Sequence, residues 1–211
     1  MILFCCMPSE TVPCIINPDL LLAWGATFRD LEKGKVLFCE GDTANFYYQV
    51  TEGKIKMCNC NEKGREFIQG IFQAGQSFGE PPLFDNSPYP ASAVAETNAS
   101  VIRLRKENFL QLIKENFDIH FSITQMLARR IRSKSIKSKS LSFYDPTYRV
   151  KTQLEQYKKD LNLQPGQQVR VDLTRQQIAD MTGLRVETVI RTIKHLEEEG
   201  LLHIERGKVY C

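Results

Sequence analysis

The sequence predicts an α+β fold with two unlike halves: a β-sandwich or barrel, then helices that end in a winged helix pair. Three observations predict it. Short β-rich runs punctuated by Gly34, Gly41, Gly53, Gly64, Gly70, Gly75 and Gly79 fill Leu31 to Leu104, with no alternation of strand and helix patterns. From Lys106 to Lys139, apolar residues recur at the three-to-four spacing of a helix. Leu173 to Leu202 reads as two helices broken at Gly183, with short strand patterns on either side.

Composition bounds what the chain can be. Its 211 residues suffice for one large or two small domains. Net charge is only +3, but eight Lys/Arg fall between Arg129 and Lys151, with Asp145 the lone acidic residue there. A basic stripe of that kind points to nucleic acid more than the overall charge does. No apolar run reaches membrane-spanning length. MILFCCM at the start lacks a basic flank and soon meets Pro8 and Glu10, a poor signal peptide. The expectation is therefore a cytoplasmic protein with no membrane partner. Seven cysteines, an odd number, argue against a disulfide framework. Cys58 and Cys60 would share a strand face, and Cys5, Cys6 and Cys14 match no strong metal spacing. Free thiols are the reading, with a redox or metal role the alternative.

Taken in order, an N-terminal arm leads into Asp19 to Asp30, expected as a short helix. The runs KVLF, FYYQV, KIKMC and EFIQGIF are strand-like, and Glu40-Gly41-Asp42 and Glu52-Gly53-Lys54 are turn signals. Phe109, Leu112 and Ile113 give a short helix an apolar face. A longer helix starts at Phe117, with Ile119, Ile123, Met126, Leu127 and Ile131 as its seam and a basic second half. Such a helix between two domains suits a dimer coiled coil; the alternative is packing on its own barrel. Serines loosen its end, and Asp145-Pro146 marks a hinge. Tyr148 to Leu161 is a further helix, followed by a loop at Gln164-Pro165-Gly166. The expected domains are 1–116, 117–142 and 143–211.

The C-terminal segment carries the clearest chemistry. Thr174 and Gln177 form a T-x-x-Q capping box, Ile178, Ala179 and Met181 face inward, and Gly183 allows a sharp turn. On the second helix, Arg185 to Glu198, the residues Val186, Val189, Ile193 and Leu196 face the core. Arg185, Glu187, Thr188, Arg191 and Lys194 are left outside. A helix-turn-helix places its second helix in the DNA major groove. Arg can take guanine, Glu can accept from cytosine, and Thr can touch a thymine methyl. Thr174, Arg175 and Gln176 complete the candidate contact set, the latter two on phosphates. Val169-Arg170-Val171 and the strand–Arg206-Gly207–strand pattern after Gly200 make the wing.

β-barrel, long helix, hinge and winged helix-turn-helix, in that order, resemble the Crp/Fnr family of bacterial transcription regulators. Phe78-Gly79-Glu80 resembles the start of the family's phosphate-binding cassette. Leu127-Ala128-Arg129-Arg130-Ile131 resembles its dimerisation helix, and Thr174 to Ala179 with Glu187-Thr188-Val189 and Arg191 its DNA-reading unit. The resemblance implies a jelly-roll sensor domain, a homodimer, a palindromic operator in double-stranded DNA, and RNA polymerase as a further partner. It implies that Glu187 and Arg191 read base edges. Ile190 departs from the Ser common in the Fnr branch.

The effector is a separate question. The resemblance implies a pocket including Phe78, Gly79, Glu80, Tyr89 and Ser92, with Lys134 and Ser135 aligned to the adenine-contacting pair. Family members that bind cAMP hold its phosphate with Arg followed by Ser or Thr, because a buried anion needs a cation and donors. Here the matching positions are Tyr89, Pro90 and Ala91, and no Lys or Arg occurs from Glu80 to Ile102. Lys134 is expected on the solvent side. The reading is a regulator with an unidentified small-molecule effector other than classical cAMP, and no cofactor is named. Rival readings are a cAMP receptor using Lys134 as substitute cation, and an interaction module that never meets DNA. An enzyme has little support, since His120, His195 and His203 form no catalytic set.

Overall fold

The computed structural model describes residues 15–161 and 167–211. Cys5, Cys6, Cys14 and the Gln164-Pro165-Gly166 loop lie outside the described residues. The chain divides into two compact units. One runs up to Met57 and includes Ile71–His120; the other comprises Cys58–Gly70 and Phe121–Cys211.

In the first unit, helix α1 spans Pro18–Ala23, with the Asn17 side chain accepting from the Asp19 backbone N–H at 2.8 Å. The helix expected to reach Asp30 stops there. Gly25 turns left-handed at φ +86°, and Ala26 N–H closes back on the Leu21 carbonyl. Thr27-Phe28-Arg29-Asp30-Leu31 is strand β1 instead, because a β-branched and aromatic run beside an open sheet edge gains a full ladder.

The strands that follow are β2 Val36–Phe38, β3 Phe46–Glu52, β4 Lys54–Cys60, β5 Glu66–Gln73 and β6 Ser77–Phe78. After the short helix α2 Pro81–Asp85 come β7 Ser92–Ala95 and β8 Ala99–Arg105. They form two four-stranded sheets, ordered β1-β8-β3-β6 and β2-β7-β4-β5. That order is a jelly roll, the arrangement in which two Greek keys cover each other's apolar faces. Tyr47, Val50, Ile55, Phe78, Val101, Ile102 and Leu104 are fully buried. Gln49, also buried, takes the Tyr47 hydroxyl and Ile16 N–H on its carbonyl oxygen and donates to the Ile16 carbonyl. Helix α3 Lys106–Glu115 buries Phe109, Leu112 and Ile113, and Phe109 stacks on Tyr47 at 4.6 Å.

Helix α4 spans Phe117–Phe143 and α5 Pro146–Asp160. The latter starts two residues before the expected Tyr148, because Asp145 caps it by accepting from Tyr148 N–H at 3.0 Å. Helix α6 Arg175–Thr182 and α7 Val186–Glu198 pack against α5 and each other around Val150, Leu154, Ile178, Ala179, Val189, Ile193 and Leu196. Strands β9 His203–Glu205 and β10 Lys208–Tyr210 make the wing hairpin. Its two-residue turn has positive φ at both Arg206 (48°) and Gly207 (76°), the backbone that matches strand twist. Val169 and Val171 bond to Cys211 and Val209, so the third short strand joins the wing as expected.

Gly53 shows where glycine is required. It sits at φ +74°, and a Cβ there would clash with the Asn98 carbonyl oxygen. Gly34 has φ +84° but open space around it. Gly34→Ala should therefore cost about 1 kcal/mol, while Gly53→Ala should cost upward of about 2 kcal/mol, because backbone strain and a clash with main chain add. Urea unfolding midpoints of the two variants check this; equal losses would show that the close approach at Gly53 is unimportant.

Candidate nucleic-acid interface and effector pocket

The helix pair is fixed by local chemistry. Thr174 Oγ1 accepts from Gln177 N–H at 3.1 Å while Gln177 Oε1 accepts from Thr174 N–H at 2.7 Å, a complete capping box. Gly183 ends α6 at φ +69°, and the Leu184 N–H returns to the Ala179 carbonyl. The turn then accepts from Arg65, whose Nη2 donates to the carbonyls of Gly183 at 3.0 Å and Leu184 at 3.1 Å.

With Val189, Thr192, Ile193 and Leu196 buried, α7 shows Arg185, Glu187, Ile190, Arg191 and Lys194 to solvent, with Thr188 half-buried. Glu187, Ile190, Arg191 and Lys194 share one face by their i, i+3, i+4, i+7 spacing. Arg175 is half-buried and Gln176 exposed, and Gln176 donates to the buried Asp180 carboxylate at 2.9 Å. An open cleft of about 500 Å³ joins Thr174, Arg175 and Ile190 to Gly207 and Lys208 of the wing. Sequence reading missed Lys208, and it treated Ile190 only as a departure from a pattern. The signal for Ile190 was available: it lies one step outside the Val189–Ile193 core register.

The joint between α4 and α5 is also built from one side chain. Arg149 donates from Nε to the Tyr144 carbonyl at 3.0 Å and from Nη2 to the Leu141 carbonyl at 2.8 Å. It thereby satisfies carbonyls that the end of α4 leaves without helical donors. Tyr144 and Tyr148 stack across it at 3.9 Å.

Within the single chain the expected seam of α4 is unevenly covered. Ile119, Met126 and Leu127 are half-buried, and Ile123 is only 1% exposed within the single chain, so it has no surface to offer a second copy. Ile131 is 69% exposed, and Phe117 and Phe121 are 74% and 51% exposed. Phe117, Phe121, Thr124, Ala128, Ile131 and Ser135 are all exposed and spaced alternately four and three apart. These exposed positions share one face of the helix, and Ile131 is common to them and to the expected seam.

In the first unit, Phe78, Gly79, Glu80, Tyr89 and Ser92 are brought to one region, but much of their capacity is already used. Glu80 is buried and accepts from the Ser77 hydroxyl. Tyr89 is buried, stacks on Phe38 at 3.7 Å, and donates its hydroxyl to the Phe46 carbonyl at 3.2 Å. A Cβ at Gly79 would lie 3.2 Å from the Tyr89 ring and 3.4 Å from Phe38. Tyr48, Phe72 and Phe78 complete the aromatic cluster. Ser92 Oγ accepts from Glu40 N–H at 2.9 Å.

Lys134 and Ser135 belong to the second unit. Ser135 is exposed. Lys134 is exposed, as expected, and its ammonium donates to Gln69 Oε1 of β5 at 2.9 Å. Desolvation, and then the nearby Arg130 charge, holds its pKa below the usual lysine value. Of the described cysteines, Cys58 is buried and Cys60 exposed; two apart on β4 they lie on one face, as expected, with Cys60 uncovered at the strand's end. No cluster of three or more His, Cys, Asp or Glu suited to a metal occurs among the described residues.

Comparison with known proteins agrees with this geometry. The cyclic nucleotide-binding domain family matches residues 28–116, and the Crp-like helix-turn-helix domain family matches 149–210. The chain is 32% identical to the cAMP-activated global transcriptional regulator CRP of Haemophilus influenzae, over 88% of this chain and 85% of that one. It is 30% identical to the cyclic AMP receptor protein of Thermus thermophilus, over 84% of this chain and 80% of that one. In fold it is similar to the c-di-GMP responsive regulator CLP of Xanthomonas campestris, with TM-score 0.71 and 24% identity over 90% and 96% of the two chains.

The Tyr89 packing has a measurable pH signature. Burial, with a smaller push from Tyr48, raises the phenol above its ordinary value of 10.0, against the lowering effect of the Phe46 hydrogen bond. A raised folded-state value means that this stabilisation is full below about pH 10 and is lost as pH rises toward the folded value. Tyr89→Phe should therefore flatten part of the alkaline fall in stability. Urea midpoints at pH 8 and pH 10.5 test it, and an unchanged slope would remove Tyr89 as a contributor.

Proposed function

Because the chain belongs to the Crp/Fnr family of DNA-binding transcription regulators, a non-enzymatic family, we propose that it is a homodimeric, sequence-specific regulator whose effector is not cAMP held in the usual way. The observation that carries the DNA-reading part is the exposed face of α7 beside the wing. Glu187 and Arg191 read base edges there, and Ile190 offers the apolar contact that suits a thymine methyl. Arg185, Lys194, Thr174, Arg175, Gln176 and Lys208 supply the surrounding phosphate contacts. Two copies joined along Phe117, Phe121, Ala128 and Ile131 of α4 would present two recognition helices to half-sites of a palindromic operator about 34–36 Å apart. Residues 1–116 sense, 117–142 pair the copies and lead to the hinge, and 143–211 bind DNA. RNA polymerase is the further partner of such a regulator. The protein works in the cytoplasm; among the described residues no helix is long and apolar enough to cross a membrane.

The relatives named as cAMP-activated favour cAMP here too. Against this stand the absence of Lys and Arg from Glu80 to Ile102 and the Tyr89–Phe38 stack beneath Gly79. Lys134, the one substitute cation considered, already bonds Gln69. A buried phosphate without a charge-assisted partner loses on the order of 2–5 kcal/mol.

Two measurements check the reading. Arg191→Ala should weaken binding to a duplex selected from a random pool by about 1–3 kcal/mol, with steep salt dependence for the parent protein; unchanged affinity would displace α7 as the reading helix. Calorimetric titration of the reduced dimer with cAMP should give no heat, and micromolar binding would overturn the missing-cation argument.

A further inference from the structure

The turn between α6 and α7 is held by a side chain remote in sequence. Arg65, at the end of the β4–β5 connection, donates to the Gly183 and Leu184 carbonyls at 3.0 and 3.1 Å, and all three residues lie in the second compact unit. Carbonyls at a helix C-terminus lack helical donors and carry the negative end of its dipole, so a guanidinium is a fitting partner. The connection that carries Arg65 is itself braced. Asn61 Oδ1 accepts from the Lys63 and Arg65 N–H groups at 3.1 and 2.9 Å. Asn61 N–H donates to the Arg65 carbonyl at 3.0 Å, and Gly64 N–H to the Asn61 carbonyl at 2.9 Å. On another side of the turn, Leu141 Cδ2 lies 3.8 Å from where a Gly183 side chain would begin. Arg185 caps α7 two residues after Gly183, so any shift of the turn displaces the end of α7 that carries Glu187.

We propose that Arg65 is a positioning residue for DNA reading: through its guanidinium the β4–β5 hairpin holds the helix-turn-helix turn and sets how α7 meets the groove. The proposal rests on the reading of α7 given above. Arg65 is exposed, so direct contact with a DNA phosphate is the competing role, and the two are separable. A positioning residue affects the selected sequence, whereas a phosphate contact affects every sequence and the salt slope.

The test uses the full chain, a duplex selected from a random pool by the parent protein, a scrambled duplex, and a salt series. Arg65→Met should lose about fivefold to tenfold on the selected duplex and less than about twofold on the scrambled one, with unchanged salt slope and melting temperature. Arg65→Lys, which keeps the charge and a donor, should recover part of the loss. Unchanged or tighter binding of Arg65→Met to the selected duplex would overturn the proposal. So would equal losses on both duplexes with a salt slope smaller by about one. A parent protein that binds both duplexes alike would fail the DNA-reading assignment itself, before any Arg65 comparison is made.

Discussion

The left-handed backbone at Gly183 governs what the second unit presents. With φ at +69° the chain leaves α6 and enters α7 after three residues, Gly183 to Arg185, which a side chain at Gly183 would resist by roughly 1–2 kcal/mol. Val189, Ile193 and Leu196 can then be buried while Glu187, Ile190, Arg191 and Lys194 stand outward together. The capping box at Thr174 fixes one end of this reversal, and Arg65 and Leu141 bear on its middle. The exposed row on α7 is thus a product of burial on its other side, and the polar face owes its placement to apolar contacts.

The jelly roll matches a cyclic nucleotide-binding domain, and its candidate pocket is rich in aromatic packing. Gly79 and Glu80 remain in place, yet Glu80 is answered by Ser77 and the space under Gly79 is lined by Tyr89 and Phe38. Aromatic stacking is favourable without any ligand, whereas a buried phosphate site needs cations that this segment lacks. On the reading proposed above, fold likeness and ligand likeness are separate matters in this chain.

Much of the architecture was legible in the sequence because its signals are local. Thr174, Gln177, Gly183 and the Arg206-Gly207 turn each act within a few residues, and the alternation of strand runs with glycines foretold a sandwich or barrel. The α4 seam was not legible in the same way. Periodicity says that a helix has an apolar face but not what covers it, and Ile123 turned out to be covered within its own chain. The stretch after Ala23 misled for a related reason: β1 owes its form to pairing with β8, some seventy residues later. Arg65, Lys134 and Arg149 each bond to groups that leave no mark on neighbouring sequence. The Tyr89 contact was half legible, since the missing cation could be read but the ring that fills the space could not.

The guanidinium of Arg149 clasps the end of α4 to the first turn of α5. It serves the carbonyls of Leu141 and Tyr144 together, from within the first turn or so of α5. Arg149, Leu141 and Tyr144 are half-buried, so opening the joint exchanges these bonds for bonds to water at a cost of about 1–3 kcal/mol. Rotation of α4 would pass into α5 as if through a keyed shaft until the key slips. Asp145-Pro146, whose composition suggests a loose hinge, thus sits beside a clasp that stiffens it.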